Sequence, residues 1–297
     1  MARSELPIMA VNGAVLHALT TPTQQLQSAI AHDELELYYQ PLIDTRDHSM
    51  QGAEALLRWH HPERGLLNPA EFIPLAEETG LIVVMGLWAL RQACNGLRRL
   101  QQFSRSDLLV SVNVSARQLD EPAFIADRAD ILRQTGIAPQ LLQLEITESI
   151  FLRDSMRIGA LFQAIRALGV RIAFDDFGTG YSALNYLAAY PVDLVKIDQY
   201  FVQRMSMSYV HTEIVQLIVN LAHSIGMDVT AEGVEHRDQA EALSHLGCNI
   251  AQGYLYSPPL PMDSLTATLE RPSPEPSPRN PKGVRSILAG CRSSFAK

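Results

Sequence analysis

The chain has 297 residues, 47% of them hydrophobic, and it carries a net charge of −8 at pH 7. That length and apolar content fit one α/β barrel, which typically takes about 250 residues, with enough apolar side chains for a full core. The negative charge argues against general binding to nucleic acid polymers or anionic membranes, so an anionic substrate would need a divalent cation beside it.

In chain order, residues 1–23 show no clear pattern and are predicted to be an N-terminal linker, with an amphipathic helix beginning at Pro22–Ile30. From residue 24 to residue 270, strand and helix patterns alternate. The predicted strands are Leu37–Ile43, Gln51–Arg58, Leu109–Val114, Leu142–Ile146, Arg171–Asp175, Asp193–Ile197, Asp228–Ala231 and Asn249–Tyr254. The predicted helices are Pro69–Glu78, Leu81–Phe103, Ala116–Gln134, Ser155–Leu168, Leu184–Ala189, Thr212–Ile225 and Arg237–Leu246.

Eight strands with intervening helices favour a closed barrel over an open sheet. The connection between the first two strands, Asp44 to Met50, is too short for a parallel crossover, which needs a dozen or more residues. The first two strands should therefore form an antiparallel hairpin. The predicted fold class is α/β, a modified TIM (β/α)₈ barrel with an antiparallel first strand.

The last segment, residues 271–297, holds five prolines in its first eleven residues and is rich in basic side chains. We expect it to be a disordered, proline-rich, basic tail. The apolar run Leu81 to Leu90 is too short to span a bilayer, so no membrane segment is expected. The three cysteines form no CxxC spacing, and HExxH is absent. These patterns favour a cytoplasmic protein without a thiol redox centre or a zinc site of those types.

Acidic and amide side chains recur where predicted strands end. They are Glu54, Asn113, Glu145, Asp175, Asp176 and Glu232. In a barrel the carboxyl ends of the strands converge on one face, so these side chains should meet. Oxygen donors of this kind suit Mg²⁺ or Mn²⁺ rather than zinc. Isolated acidic residues at strand ends are usually caps or ion-pair partners, but six such positions are too many to attribute to capping.

The adjacent pair Asp175 and Asp176 could serve two cations, with Glu232 completing the second site. Two cations about 3.5–4 Å apart suit in-line attack on a phosphodiester. Lys196 would bring an ammonium group to the same face, where it could hold the attacking water or offset the carboxylates. Arg58 could bind a phosphate through its guanidinium fork.

Other polar positions receive different interpretations. Glu148 follows Glu145 by one turn and is predicted to support the site rather than bind metal. His60 and His61 are placed in a turn with Pro62 and are not expected to be ligands. The spacing of Gly178 and Gly180 in DFGTGYS is not a dinucleotide fingerprint, so these glycines are predicted to belong to a loop linked to the metals.

Nine motifs in a fixed order carry a resemblance to a known family. They are YYQPLI, AEALLRW, FIPLAEETG, VNVS, LEITES, DDFGTGYS, VKID, AEGVE and QGYLYSPP, between about Glu36 and Pro261. In this respect the chain resembles the EAL domains, the bacterial cyclic di-GMP phosphodiesterases. The resemblance implies metal-dependent hydrolysis of one phosphodiester bond of cyclic di-GMP to linear pGpG. No second catalytic motif of the cyclase type is visible.

The resemblance also implies roles for individual residues. The first metal would be held by Glu54, Asn113, Glu145 and Asp175, and the second would lie near Asp175, Asp176 and Glu232. Lys196 would orient the attacking water, and substrate contacts would come from Arg58, Gln252 and Gln40. Glu148 and Glu235 would be supporting carboxylates. The implied assembly is a homodimer whose contacts reach the metals through the loop Asp176–Ser182.

Two alternatives to an active phosphodiesterase remain at this point. A non-catalytic receptor would bind cyclic di-GMP without cleaving it, but receptors of this kind usually lack one or more metal ligands. A metal-dependent barrel enzyme of another kind would act on a different phosphoester.

Overall fold

The computed structural model describes residues 21–103, 106–147, 150, 155–178 and 190–269. Eight strands form a closed ring in the order β1-β2-β4-β5-β6-β7-β8-β9, with β9 paired back to β1. Two further short strands, β3 and β10, pair with β2 and β1 outside the ring. The strands are β1 (Leu35–Asp44), β2 (Met50–His61), β3 (Gly65–Leu67), β4 (Leu109–Asn113), β5 (Leu142–Thr147), β6 (Arg171–Phe177), β7 (Leu194–Ile197), β8 (Asp228–Ala231), β9 (Ile250–Ala251) and β10 (Leu260–Pro261).

Helices separate most of the parallel strands. They are α1 (Pro22–Ala31), α2 (Ile73–Thr79), α3 (Leu81–Phe103), α4 (Ala116–Leu119), α5 (Phe124–Thr135), α6 (Ser155–Ala167), α7 (Gln199–Arg204), α8 (Tyr209–Ser224), α9 (Arg237–Leu246) and α10 (Met262–Leu269). Single 3₁₀ turns at Pro69–Glu71 and Pro139–Leu141 precede α2 and β5. Among the described helices, none is both long and apolar enough to cross a bilayer.

The antiparallel first strand is confirmed. β1 pairs with β2 from Leu35 opposite Trp59 to Ile43 opposite Met50, and it is also antiparallel to β9. The other pairings around the ring are parallel. The hairpin closes through a hydrogen bond from the Asp44 amide to the Ser49 carbonyl. A modified TIM barrel is therefore the fold of this chain.

Some predicted boundaries were wrong. The single helix predicted over Ala116–Gln134 is two helices, because Pro122 lies between them and cannot donate a helical hydrogen bond. The last predicted strand is cut to Ile250–Ala251, since the chain turns at the next residues. His60 and His61 lie in β2 rather than in a turn, and they pair with β3, which the sequence pattern did not predict. The short helix predicted at residues 184–189 lies outside the described residues.

Apolar side chains close one end of the barrel. Leu42, Leu109, Ala173, Leu194 and Ile250 form a buried cluster inside the ring. Leu109, Leu194 and Ile250 are the first residues of their strands, so this apolar plug lies at the amino-terminal end of the parallel strands. The largest core lies between the sheet and the outer helices. The opposite, carboxyl-terminal end of the barrel is left for polar groups.

Two of the three cysteines are part of this packing. Cys94 in α3 and Cys248 before β9 are fully buried, and burial raises the pKa of the Cys94 thiol to about 11 and that of Cys248 to about 12. Less than about 1% of either thiol is then ionised at pH 8, and only the thiolate reacts. We expect neither to react with a disulfide reagent in the native protein.

The measurement uses a Cys291→Ser background, which leaves only these two thiols. Native protein at pH 8 should release almost no thionitrobenzoate, whereas denatured protein should release two equivalents. Rapid labelling of native protein would contradict the buried positions of Cys94 and Cys248.

Candidate active site

The side chains predicted to converge do so at the carboxyl-terminal end of the barrel. Strand alternation turns every second residue inward, and inward positions near the carboxyl ends of the strands carry polar groups. They are Asn113 on β4, Glu145 on β5, Asp175 on β6, Lys196 on β7, Glu232 directly after β8 and Gln252 directly after β9. The barrel thus gathers one layer of functional groups from six separate segments.

Glu54 reaches the same layer from a different position in its strand. The sequence placed it near the end of an apolar run, but it is the fifth residue of the twelve-residue β2. β4 pairs with β2 only over Gly52–Ala55, and the remainder of β2 continues beyond the ring to pair with β1 and β3. Glu54 therefore lies at the end of the part of β2 that belongs to the barrel wall.

Lys196 lies at the centre of the acidic layer. Its Nζ is 2.5 Å from Glu232 Oε1, 2.6 Å from Glu145 Oε2, 3.3 Å from Asp175 Oδ1 and 3.4 Å from Glu54 Oε2. The Lys196 side chain is 2% exposed and that of Glu145 is 0% exposed, whereas the Glu232 side chain is 21% exposed and lines the cavity above. One ammonium group thus faces four carboxylates, and most of their negative charge has no counter-charge among the described side chains.

The pKa values reflect this imbalance. Burial, reinforced by the charge of Glu54, raises the pKa of Glu145 well above its ordinary value. Burial also raises the pKa of Glu232 to about 8, although Lys196 acts against it. Burial disfavours the charged form of Lys196, but the four carboxylates outweigh it and its pKa is raised. The cluster can hold all its charges only when more positive charge is present.

Glu54 is the carboxylate that is held ionised. Burial works to raise its pKa, but Lys196 and two amide donors lower it overall. Asn113 Nδ2 donates to Oε1 at 2.7 Å, and Gln252 Nε2 donates to Oε2 at 2.7 Å. Gln252 Nε2 also donates to Gln40 Oε1 at 2.9 Å, which connects the end of β9 to β1. Four of the predicted site residues therefore form one hydrogen-bonded group.

The donor set fits a divalent cation. Asp175, Asp176 and Glu232 each offer an oxygen within 4.8 Å of the others. Asp175 Oδ1 is buried and accepts no hydrogen bond, although it lies 3.3 Å from Lys196 Nζ. An unsatisfied buried carboxylate oxygen is costly, and a cation would satisfy it. Asp176 has a positive φ of 57°, a conformation that turns its side chain out of the strand alternation.

A cavity of about 410 Å³ opens above this layer. Lys196, Glu232 and Asp175 form its floor, and Arg58 lies on its wall with the guanidinium 5.4 Å from the ring centre of Tyr38. The sequence did not predict six further lining residues, which are Leu56, Gln199, Gly233, Gly253, Tyr254 and Pro259. Leu56 could have been found from its alternation with Glu54 and Arg58 on β2. Gln199 begins helix α7 and Tyr254 lies in the turn after β9, and neither position has a local sequence pattern.

The remaining predicted residues are placed as follows. Glu235 lines the cavity and accepts a hydrogen bond from Gln203 Nε2 at 3.1 Å. Gly178 has a φ of 101°, and a Cβ there would lie 2.9 Å from the Phe201 ring, so only glycine fits. His60 binds Glu36 away from the cavity. Glu148 and Gly180 lie outside the described residues.

Gly253, the residue after Gln252, allows the chain to pass in close contact with the backbone of Val234. A Cβ on Gly253 would lie 2.1 Å from the Val234 carbonyl oxygen and 2.3 Å from its nitrogen. The Val234 amide donates to the Gln252 carbonyl, so this close approach positions Gln252. Gly253→Ala should therefore destabilise the protein by about 1–3 kcal/mol, as other overpacked sites do, and move Gln252 off Glu54.

Gly159→Ala in α6 is the matched control, because a Cβ there would meet only the Tyr190 ring at an ordinary 3.5 Å. Urea unfolding measures both variants, and nucleotide hydrolysis gives the second readout. Unchanged stability of Gly253→Ala would show that the two backbones are not in contact.

The family assignment follows from the whole chain. The EAL domain family profile matches residues 23–259. The chain belongs to the EAL domain family. It is 39% identical over 244 residues to the bifunctional diguanylate cyclase/cyclic di-GMP phosphodiesterase MucR of Pseudomonas aeruginosa, with 82% of this chain and 36% of MucR covered. It is 40% identical over 242 residues to the cyclic di-GMP phosphodiesterase NbdA of the same organism, with 82% and 31% covered.

A solved EAL structure has the same fold. The PaMucR phosphodiesterase in complex with c-di-GMP superposes with a TM-score of 0.78 at 39% identity, covering 82% of this chain and 99% of that chain. The EAL enzyme Bd1971, bound to cAMP and cyclic di-GMP, gives a TM-score of 0.81 at 32% identity and covers 87% of this chain and 70% of that chain. The chain spans about a third of the length of the curated relatives MucR and NbdA.

Proposed function

We propose that this EAL domain hydrolyses one phosphodiester bond of cyclic di-GMP to give linear pGpG, with two Mg²⁺ or Mn²⁺ ions. The observation that carries the proposal is the cluster of four carboxylates around the buried Lys196 at the floor of an open cavity. The names of MucR and NbdA, which describe cyclic di-GMP phosphodiesterases, support the choice of substrate.

The residues divide between two cation positions. Glu54, Asn113, Glu145 and Asp175 would hold the first cation, and Asp175, Asp176 and Glu232 would hold the second. Divalent cations bound here would offset negative charge on the phosphate. They would also lower the pKa of a bound water, so that hydroxide could form near neutral pH. The cluster's excess negative charge and the buried Asp175 Oδ1, which accepts no hydrogen bond, are the features that favour this occupancy.

Lys196 would have different hydrogen-bond partners in the cation-free and the cation-bound site. Without cations its ammonium is shared among four carboxylates. With the carboxylates engaged as cation ligands, Lys196 Nζ would be free to donate a hydrogen bond to the attacking water and orient it toward the phosphate. Its rigid, buried position suits this task, because a fixed donor costs no reorganisation at the moment of reaction.

Substrate binding would use the cavity wall. Arg58 is the arginine among the residues that line the cavity, and it can bind a phosphate through two parallel hydrogen bonds. Gln40 and Gln252 line the same cavity and are already hydrogen-bonded to each other. Both side chains would contact the nucleotide where they line this cavity.

The first experiment measures cyclic di-GMP hydrolysis by purified protein with Mg²⁺, Mn²⁺, Ca²⁺ or EDTA, following pGpG by chromatography. We expect turnover with Mg²⁺ or Mn²⁺ and none with EDTA. Ca²⁺ should inhibit, because its larger and more variable shell misplaces the reacting groups. Tight nucleotide binding without product under all conditions would instead identify a non-catalytic receptor. Equal turnover of unrelated phosphodiesters would contradict the substrate assignment.

Three further properties belong to the same proposal. The protein would act in the cytoplasm, where the cysteine pattern places it, and would form a homodimer whose contacts reach Asp176. The EAL unit would comprise residues 24–270, between a linker and a basic tail. Light scattering on the purified chain measures the dimer, and a mass of 32.9 kDa at all concentrations would exclude it.

A further inference from the structure

A buried polar layer lies between the apolar plug and the carboxylates. Ser111 on β4 is 0% exposed and Gln143 on β5 is 2% exposed, and the two residues are register partners. Each lies two residues before a site residue, Asn113 and Glu145, and so faces the same interior. Barrel interiors are usually filled by branched apolar side chains, and burying polar groups is costly. These two residues therefore require an explanation.

Their hydrogen bonds point in one direction, toward Glu145. Gln143 Nε2 donates to Ser111 Oγ at 3.0 Å, and the Ser111 hydroxyl donates to Glu145 Oε1. A serine hydroxyl has one hydrogen, and the donor from Gln143 occupies an oxygen lone pair. The Ser111 hydrogen is thus directed to the carboxylate.

The other oxygen of Glu145 is held by Lys196. Its Oε2 lies 2.6 Å from Lys196 Nζ, which three more carboxylates share. Lys196 alone would leave the plane of the Glu145 carboxylate undetermined, because one contact allows rotation about the last side-chain bond. A second donor on Oε1 removes that freedom.

We propose that Ser111 is a positioning residue that orients Glu145 for the first cation, and that Gln143 acts through Ser111 by holding its hydroxyl. This inference rests on the proposed function to the extent that Glu145 binds a metal ion. Carboxylates that bind metals are commonly held by further hydrogen bonds, and removing such a partner typically costs 10–100-fold in metal affinity or activity.

The test is a Mn²⁺ titration of the full chain without substrate. Free Mn²⁺ is measured at each point by its electron paramagnetic resonance signal. Ser111→Ala should weaken binding of the tighter ion by about 10-fold or more. Gln143→Met should weaken it less, because the hydroxyl remains. The double variant should bind no more weakly than Ser111→Ala, since residues acting through one another are not additive.

Thr266→Val is the control, because it removes a buried hydroxyl from α10 that donates to Met262 O, away from the barrel interior. Its Mn²⁺ affinity should equal that of the unmodified chain even where its melting temperature in EDTA falls. If Ser111→Ala lacks a cooperative melting transition, it is not folded and its affinity is not used. The Mn²⁺ affinity of Gln143→Met then tests the positioning role in its place.

The outcomes separate the two proposals. Wild-type affinity in Ser111→Ala, or additive losses in the double variant, would overturn the positioning role. Mn²⁺ binding with the expected losses but no hydrolysis by the unmodified chain would overturn the proposed enzyme and leave the positioning role standing. Absence of Mn²⁺ binding by the unmodified chain would overturn both.

Discussion

Glu54→Gln is expected to lower the rate of cyclic di-GMP hydrolysis by about 1,000-fold or more while the barrel remains folded. Glu54 is the carboxylate whose pKa is lowered overall, so it is charged in the native protein and available as a ligand. The amide of glutamine has the same shape but carries no charge and is a weak cation ligand. Losing one preorganised electrostatic group typically costs a factor of 100–1,000, and loss of a charged ligand of the first cation should reach the upper end.

The control for this variant is Glu71→Gln, an exposed glutamate paired with Arg64 far from the cavity, which should hydrolyse the nucleotide at the wild-type rate. Steady-state rates at saturating Mg²⁺ distinguish the two variants, and circular dichroism verifies the fold. Turnover by Glu54→Gln within a few-fold of wild type would exclude Glu54 as a metal ligand and with it the proposed mechanism.

Lys196→Met should have the second large effect, on stability as well as on activity. Methionine fills a similar volume, but it leaves four carboxylates, three of them buried, without their shared ammonium. Removing one partner from a buried ion pair typically costs about 3–5 kcal/mol, so the melting temperature in EDTA should fall steeply. Divalent cations supply the missing charge, and Mn²⁺ should therefore raise the melting temperature of the variant more than that of wild type. Hydrolysis should remain low even with Mn²⁺, because no donor holds the water.

The chain offers a matched lysine control. Its other lysines are Lys282 and Lys297, both after the last described residue. Lys282→Met should change neither the melting temperature in EDTA nor the response to Mn²⁺. A Lys196→Met variant that melts in EDTA as the wild type does would show that the carboxylates do not depend on this ammonium.

Much of the fold could be predicted because its signals are local. Helix α3 was predicted with the observed ends, and so was α9, since an apolar stripe with the helical period defines them. The reversal of β1 followed from the shortness of the connection to Met50 alone. Prediction failed where contacts between residues distant in sequence determine the length of a strand. β9 has only two residues because Gly253 approaches Val234, and β2 is long because β3 folds back onto it.

The sequence by itself determined which chemical groups stand at the ends of the barrel strands, and therefore the acidic, cation-binding character of the site. Tertiary structure alone decided how those groups contact one another. Lys196 could be placed on the correct face, but its four carboxylate partners depend on how the closed ring staggers neighbouring strands. Ser111 and Gln143 have no motif, and their role emerges only because register places them side by side beneath Glu145. Periodicity reports which way one strand faces, whereas contacts between strands are set by the register of the whole sheet.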